Sequence, residues 1–494
     1  MDYPSLGNLP TDILVLIFGL FCLHCQGEYN EPWDAPPLFR EIAQSILYHE
    51  FVLGYDDSWR TDLYTWDGRL ISFMRTLRQR RDLARLVRVV YVHPRLLWAI
   101  NRDRPRDVLG EAAETLGIDL AEIWKSRIPR PERSDMTGKP TNRELFLAPL
   151  VYGPSYAAVY YRDVRTRWRE RDWVAAELVA MLIAQLPSLE YLGLQRCSRW
   201  TSGGGVPTSA LAALNISSLP IRRLDIGPRP DDVIRLSPGL ETLNLHAIDF
   251  YKEYPPLPKL KILRMTECWF EKTFLKDILN ACISGLQTFA YESRPPTQSR
   301  SFIGGASRRN IPRHFQLSDA VSLLSCHQRT LKSLHLDLST QGRVVAKIED
   351  GLHLKDFAVL EHLSIGSEMI YGFDGIQDQG FPHSEALIRL LPASLVSLSI
   401  QTKQMGETGR AMLEKGLVRL AEAKQHQPDQ FPNFDGCNVV NVQFTSSSWS
   451  LSKAKPYLNG TIWTVDRITG FSYSDDFSED ELLVPARHQE EVER

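Results

Sequence analysis

Cysteine is scarce in this chain. Cys22, Cys25, Cys197, Cys268, Cys282, Cys326 and Cys437 are scattered over 494 residues. An odd count without dense spacing excludes a disulfide framework and predicts reduced thiols. A surplus of charge of either sign is missing too. A formal net charge of −3 excludes an overall electrostatic commitment to nucleic acid or anionic membrane. Long uninterrupted apolar runs are likewise absent. The closest is LGNLPTDILVLIFGLFCLHC, residues 6–25, where Pro10, Asp12 and His24 leave less than the span of about 20 apolar residues that crossing a bilayer takes. No Lys or Arg precedes this run and no small-residue cleavage site follows it, so an export signal is not expected either. The expected location is intracellular, cytoplasm or nucleus, with no membrane partner.

Signatures of chemistry are equally thin. Ser202-Gly203-Gly204-Gly205 lacks the Lys-Ser/Thr ending of a phosphate-binding loop and reads as a flexible insertion. Cys22, His24 and Cys25 form a trio with no second ligand pair near them, so no metal is expected there. RDVRTRWRERDW, residues 162–173, interleaves five arginines with Trp168 and Trp173, but Asp163, Glu170 and Asp172 sit among them. That composition describes a solvated helix face, and no nucleic acid is expected. No G-x-S-x-G or H-E-x-x-H motif occurs. The chain is therefore expected not to be an enzyme and to need no cofactor.

What the chain does contain is repetition. Apolar-x-x-apolar-x-apolar returns as LEYLGL from Leu189, IRRLDI from Ile221, LETLNL from Leu240, LKILRM from Leu260, LQTFAY from Leu286, LKSLHL from Leu331, LEHLSI from Leu360 and LVSLSI from Leu395. Each hexad has the alternation of a short strand. Helical patterns precede several of them: LVAMLIAQLP, FLKDILNACIS, SDAVSLLSCH and SEALIRLLP. Helix then strand, repeated, requires parallel strands joined by crossovers. DGRLISFMRTLRQRRDLARLVRVVYV, from Asp67, starts the array in the same style, and a helix around AMLEKGLVRLAEA leads to a closing strand in NVVNVQF.

These segments resemble leucine-rich repeats of an irregular kind, with units roughly 20 to 45 residues apart. The N-terminal LPTDILVLIFGLF in turn resembles the first helix of an F-box, on Leu9, Pro10, Asp12, Ile13, Leu14, Ile17, Phe18 and Phe21. LFREIAQSILYHEFVLGYDDSW resembles the end of that module in fungal F-box proteins with leucine-rich-repeat-like tails. Between the two, CLHCQGEYNEPWDAPPLFR carries Pro32, Pro36 and Pro37 where the family has a helix.

The resemblance implies an α/β fold with a short N-terminal helical F-box-like module, residues 1–55, followed by an irregular leucine-rich-repeat solenoid, residues 66–450. An acidic tail, residues 471–494, is expected to be disordered. It also implies a function: the substrate-recognition subunit of an SCF-type (Skp-cullin-F-box) E3 ubiquitin ligase. Leu9, Pro10, Ile13, Leu14, Ile17 and Phe18 would dock on a Skp-type adaptor and its cullin. The repeats would bind an unknown protein substrate. The alternative is a leucine-rich-repeat protein-interaction scaffold without ligase association. In either case the positions between the apolar strand residues would line an extended concave face. The contacts expected there are Arg223, Asp225, Asn244, His246, Arg264, His335 and His362.

Overall fold

In the computed structural model the described residues are 44, 48–51, 68–92, 96, 105–117, 119, 165–194, 211, 214–227, 231–246, 248, 254–268, 270–293, 315, 317–338, 354–371, 383–401 and 407–440. They fall in two compact units, Met1–His246 with Tyr254–Lys259, and Ala247–Glu253 with Leu260–Arg494.

The hexads become strands in a uniform way. In all eight, the strand starts at the third residue: β3 (Tyr191–Leu194), β4 (Arg223–Ile226) and β5 (Thr242–His246) in the first unit; β6 (Ile262–Cys268), β7 (Thr288–Ser293), β8 (Ser333–Asp337), β9 (His362–Gly366) and β10 (Ser397–Gln401) in the second. The leading apolar residue lies in the turn before its strand, and all eight, from Leu189 to Leu395, are fully buried. Two further strands precede β3, namely β1 (Glu50–Phe51) and β2 (Val89–Val92), and β11 (Gly436–Val440) follows β10. Within each unit every described pairing is parallel and joins strands consecutive in the chain, β1 through β5 and β6 through β11.

One hydrogen-bonding device sets the register. The carbonyl of the hexad's second residue accepts two backbone N–H bonds from the next strand. Arg88 O receives the amides of Glu190 and Tyr191, Glu190 O those of Arg222 and Arg223, and Arg222 O those of Glu241 and Thr242. In the second unit Lys261, Gln287, Lys332 and Glu361 repeat the pattern. Strands therefore stack residue for residue, and alternation sorts their side chains to two faces. One face carries apolar rows, Val90–Leu192–Leu224–Leu243 in the first unit and Leu263–Phe289–Leu334–Leu363–Leu398 in the second.

Helices lie between the strands and supply the other half of the core. The helix α1 (Arg69–Gln79) buries Leu70, Met74 and Leu77, one face at helical spacing. After α2 (Arg81–Ala84) and α3 (Pro105–Leu116) comes α4 (Arg165–Ala184). Residues 174–183 of α4 are buried on every side, Glu177 included, and the rest of that stretch is apolar all round, as such burial requires. The short α5 (Asp231–Arg235) lies between β4 and β5. In the second unit α6 (Lys272–Ala281) buries Leu275, Ile278, Leu279 and Ala281. It packs on α7 (Leu317–Leu324). Then come α8 (Glu368–Tyr371), α9 (Ala386–Leu390) and α10 (Glu407–His426).

This architecture corrects the expected one. The sheet in each unit is open, neither curled into a leucine-rich-repeat horseshoe nor closed, and helices are interleaved with its strands. The physical reason is that apolar-x-x-apolar-x-apolar reports a buried turn residue and a strand with one apolar face. Any parallel strand under a crossover helix meets both requirements, and the pattern does not specify curvature. The expected short helical module followed by a solenoid is overturned, and the family resemblance falls with it. Glu50–Phe51, placed by that resemblance at the end of the helical module, instead pairs with β2, and Phe51 stacks on Phe73 with ring centroids 4.0 Å apart. The closing strand is Gly436–Val440, which starts two residues before the expected NVVNVQF and includes its first three residues, the remaining four lying outside the described residues. Among the described residues no helix is long and apolar enough to cross a membrane.

The buried hexad rows predict a sharp contrast in mutational cost. Leu334→Ala, at a fully buried site, is expected to lower unfolding free energy by about 2–5 kcal/mol. Ile283→Ala, at a residue 67% exposed, should change it by less than about 0.5 kcal/mol. Urea denaturation of the two variants checks this.

Candidate functional site

Alternation sends the third and fifth residues of every hexad to the face opposite the apolar rows. In the first unit, Tyr91, Gly193, Asp225 and Asn244 form one row across β2–β5, beside Val89, Tyr191, Arg223 and Thr242. The side chains meet. The Tyr191 hydroxyl donates to Asp225 Oδ2 at 2.7 Å, and Asn244 Nδ2 donates to Asp225 Oδ1. Arg223 Nε stands 4.0 Å from the same carboxylate, and its guanidinium carbon lies 4.9 Å from the centroid of the Tyr191 ring. Asp225 is 0% exposed and Asn244 2%. A carboxylate so deeply buried needs such donors, because its desolvation would otherwise cost several kcal/mol. Burial first, and then the charge of Asp225, hold the Tyr191 hydroxyl well above the ordinary tyrosine range. Tyr191 is thus a permanent donor.

Gly193 makes this arrangement possible. A Cβ there would lie 2.8 Å from the Tyr191 hydroxyl oxygen and 2.9 Å from Tyr91 Cδ2. The missing side chain is the space through which the Tyr191 hydroxyl reaches Asp225 on the neighbouring strand.

The second unit carries a longer polar face. Thr288, Ser333, His362 and Ser397 form a row at the strand starts, and Arg264, Ala290, His335, Ser364 and Ser399 form the row behind it. His335 Nε2 lies 3.4 Å from Glu292 Oε1, and His362 Nδ1 shares a 2.8 Å hydrogen bond with the Ser397 hydroxyl. The rear row is buried, His335 being 1% exposed, whereas Thr288, His362 and Ser397 are half-buried. In front of them, at the hexads' second positions, Gln287 and Lys332 are exposed, and Lys332 pairs with Glu361 at 3.6 Å.

The expected contact residues therefore divide. Arg223, Asp225 and Asn244 come together in the first unit, with His246 buried at the end of β5. Arg264, His335 and His362 lie on the polar face of the second, and only His362 of these three is half-buried. Most of these side chains are thus interior polar groups, where an open concave face had been expected. Tyr91, Tyr191, Glu292 and Ser397 join the clusters without having been singled out as contacts, although each sits at an alternate strand position on the same face as the chosen residues. The adaptor-docking residues Leu9, Pro10, Ile13, Leu14, Ile17 and Phe18, and the trio Cys22, His24 and Cys25, lie outside the described residues. Among the described residues no group of His, Cys, Asp or Glu is arranged to hold a metal ion. The described cysteines Cys268, Cys282, Cys326 and Cys437 form no disulfide.

The Tyr191–Asp225 bond and the Gly193 space form one coupled feature. Tyr191→Phe should cost about 1–3 kcal/mol by stripping a donor from a buried carboxylate, and Gly193→Ala a similar amount by displacing the same hydroxyl. The double variant is expected to fall short of the sum of the singles. Thermal or urea unfolding of the three variants measures the coupling.

No protein-family model and no curated protein matches this chain. Among the described residues neither a curved horseshoe nor a compact helical module is seen, so the ubiquitin-ligase receptor and the leucine-rich-repeat scaffold both lose their structural basis.

Proposed function

We propose that the protein acts by binding another polypeptide, without catalysis, on the half-buried polar band at the strand starts of the second unit. The observation that supports this reading is the in-register row of Thr288, His362 and Ser397, fronted by Gln287, Lys332 and Glu361. Between β7 and β10 the band spans three strand spacings of about 4.8 Å, or about 14 Å. That is the length of about four residues of extended chain. Hydroxyls, one imidazole and charges of both signs suit the alternating donors and acceptors of a polypeptide better than they suit an apolar ligand. The buried row behind the band, with His335 beside Glu292, holds it rigid. The His362–Ser397 bond acts as a positioning contact, fixing which atoms face the partner.

An intracellular location, cytoplasm or nucleus, belongs to the same proposal. Exposed free thiols at Cys326 and Cys437 are compatible with a reducing compartment.

The test uses the full chain as bait, beside a variant carrying both His362→Ala and Ser397→Ala. Polypeptides retained by the wild type should be lost from the variant or bound at least about tenfold more weakly, a change of about 1.4 kcal/mol. Circular dichroism should show both proteins equally folded. The same polypeptides held with equal affinity by both baits would refute the assignment.

A further inference from the structure

His327 lies outside the polar band and has a role of its own. It closes the 3-10 turn Ser325–His327 that follows α7, and its residue is 5% exposed. Both ring nitrogens are engaged with backbone. The amide of Leu286 donates to Nδ1 at 3.3 Å, and Nε2 lies 3.2 Å from the carbonyl oxygen of Leu279. A nitrogen that accepts from an N–H carries no proton, so Nδ1 is the bare nitrogen. Nε2 is then the protonated one and donates to Leu279 O. The neutral ring in one tautomer satisfies both partners at once.

These contacts join three successive pieces of the second unit. Leu279 belongs to the last turn of α6, and its carbonyl, which also accepts the Cys282 amide at 3.1 Å, takes the ring N–H as a second donor. Leu286 is the buried leading residue of the hexad that becomes β7. Thr330, just past His327, donates its hydroxyl to Leu286 O at 2.9 Å, so both backbone groups of Leu286 are held from the α7 side. Gly285 fits the sharp approach, with φ of 90° and the Thr330 side chain where a Cβ would stand.

We propose that His327 is an acid-sensitive latch, which on protonation releases the Leu286 turn from the end of α7 and loosens the start of β7. An imidazolium bears N–H on both nitrogens, and its new Nδ1–H would point at the Leu286 N–H. Two donors face each other and the bond is lost. Burial, partly opposed by the bond to the Leu279 carbonyl, keeps the ring's proton affinity below the ordinary histidine value.

The surrounding ionisable groups leave the response to His327. On α6, Lys276 and Asp277 are exposed, and Lys272 pairs with Asp319 of α7 at 2.6 Å. Arg329, beyond the turn, is exposed, and Ser284–Leu286 carries no ionisable side chain. The Cys282 thiol is pushed up to about 12 by burial, and Cys326 is raised for the same reason, so both stay neutral in mild acid. A group with a depressed folded-state value contributes stability that is complete above its unfolded value, about 6.5 for histidine, and is lost as pH falls through the folded value.

Hydrogen exchange of the Leu286 amide, corrected for the intrinsic pH dependence, tests the latch in the full chain at pH 7.5 and 5.5. Protection is expected to drop at least about tenfold in the wild type and to stay level in His327→Gln, which cannot titrate. An equal drop in both proteins, or no drop in the wild type, would overturn the proposal. Should His327→Gln fail to fold, NMR titration of the wild-type ring decides instead. A midpoint below the ordinary histidine value supports the latch, and one at or above it rejects it.

Discussion

The carbonyl at the second position of six of the eight hexads, shared by two amides at the start of the next strand, is the interaction on which the rest of the structure depends. Where it operates it fixes the third residue of the following hexad as the first residue of a strand. It also places residues of equal hexad position side by side within each unit. The buried leading residue works with it. From Leu189 to Leu395 these side chains fill the turn under the strand start, each adding about 1.5–3 kcal/mol of apolar burial. A shift of one residue would expose that side chain and turn the strand's whole apolar set to the other face. Register is therefore held twice, by hydrogen bonding and by burial.

The polar side of the sheets follows from the same constraint. Because rows are in register, Asp225 lies between Gly193 and Asn244, and a carboxylate with 0% exposure acquires its donors from the strands on either side. The second unit builds its polar rows by the same rule, with Ser397 beside His362 and Ala290 beside His335. Interior polar groups of this kind specify an arrangement, since any other pairing of strands would leave Asp225 without partners. The half-buried front row keeps polar atoms within reach of a partner, while the buried row behind it sets their positions.

Much of this order was legible in the residues. The hexads marked eight strands, and the helical patterns before them marked α4, α6, α7 and α9. Alternation identified Arg223, Asp225, Asn244, His335 and His362 as sharing the non-apolar face of their strands. The resemblance to an F-box protein with leucine-rich repeats was misleading. It drew on spacing that any array of parallel strands under crossover helices shares, and on an N-terminal segment outside the described residues. Glu50–Phe51 escaped notice because two residues are too few to show a period. The Tyr191–Asp225 contact was illegible because it spans 34 residues and depends on what Gly193 lacks.

The sequence by itself determined where strands start, which face of each is apolar, and that the connections are crossovers, because these are local consequences of periodicity and turn burial. Tertiary structure alone decided that the sheets are open and uncurled and that the polar face is largely interior. It also decided that His327 joins the end of α6 to the turn before β7. Those features arise from how rows of side chains meet across strands far apart in the chain, and no window of adjacent residues carries that information.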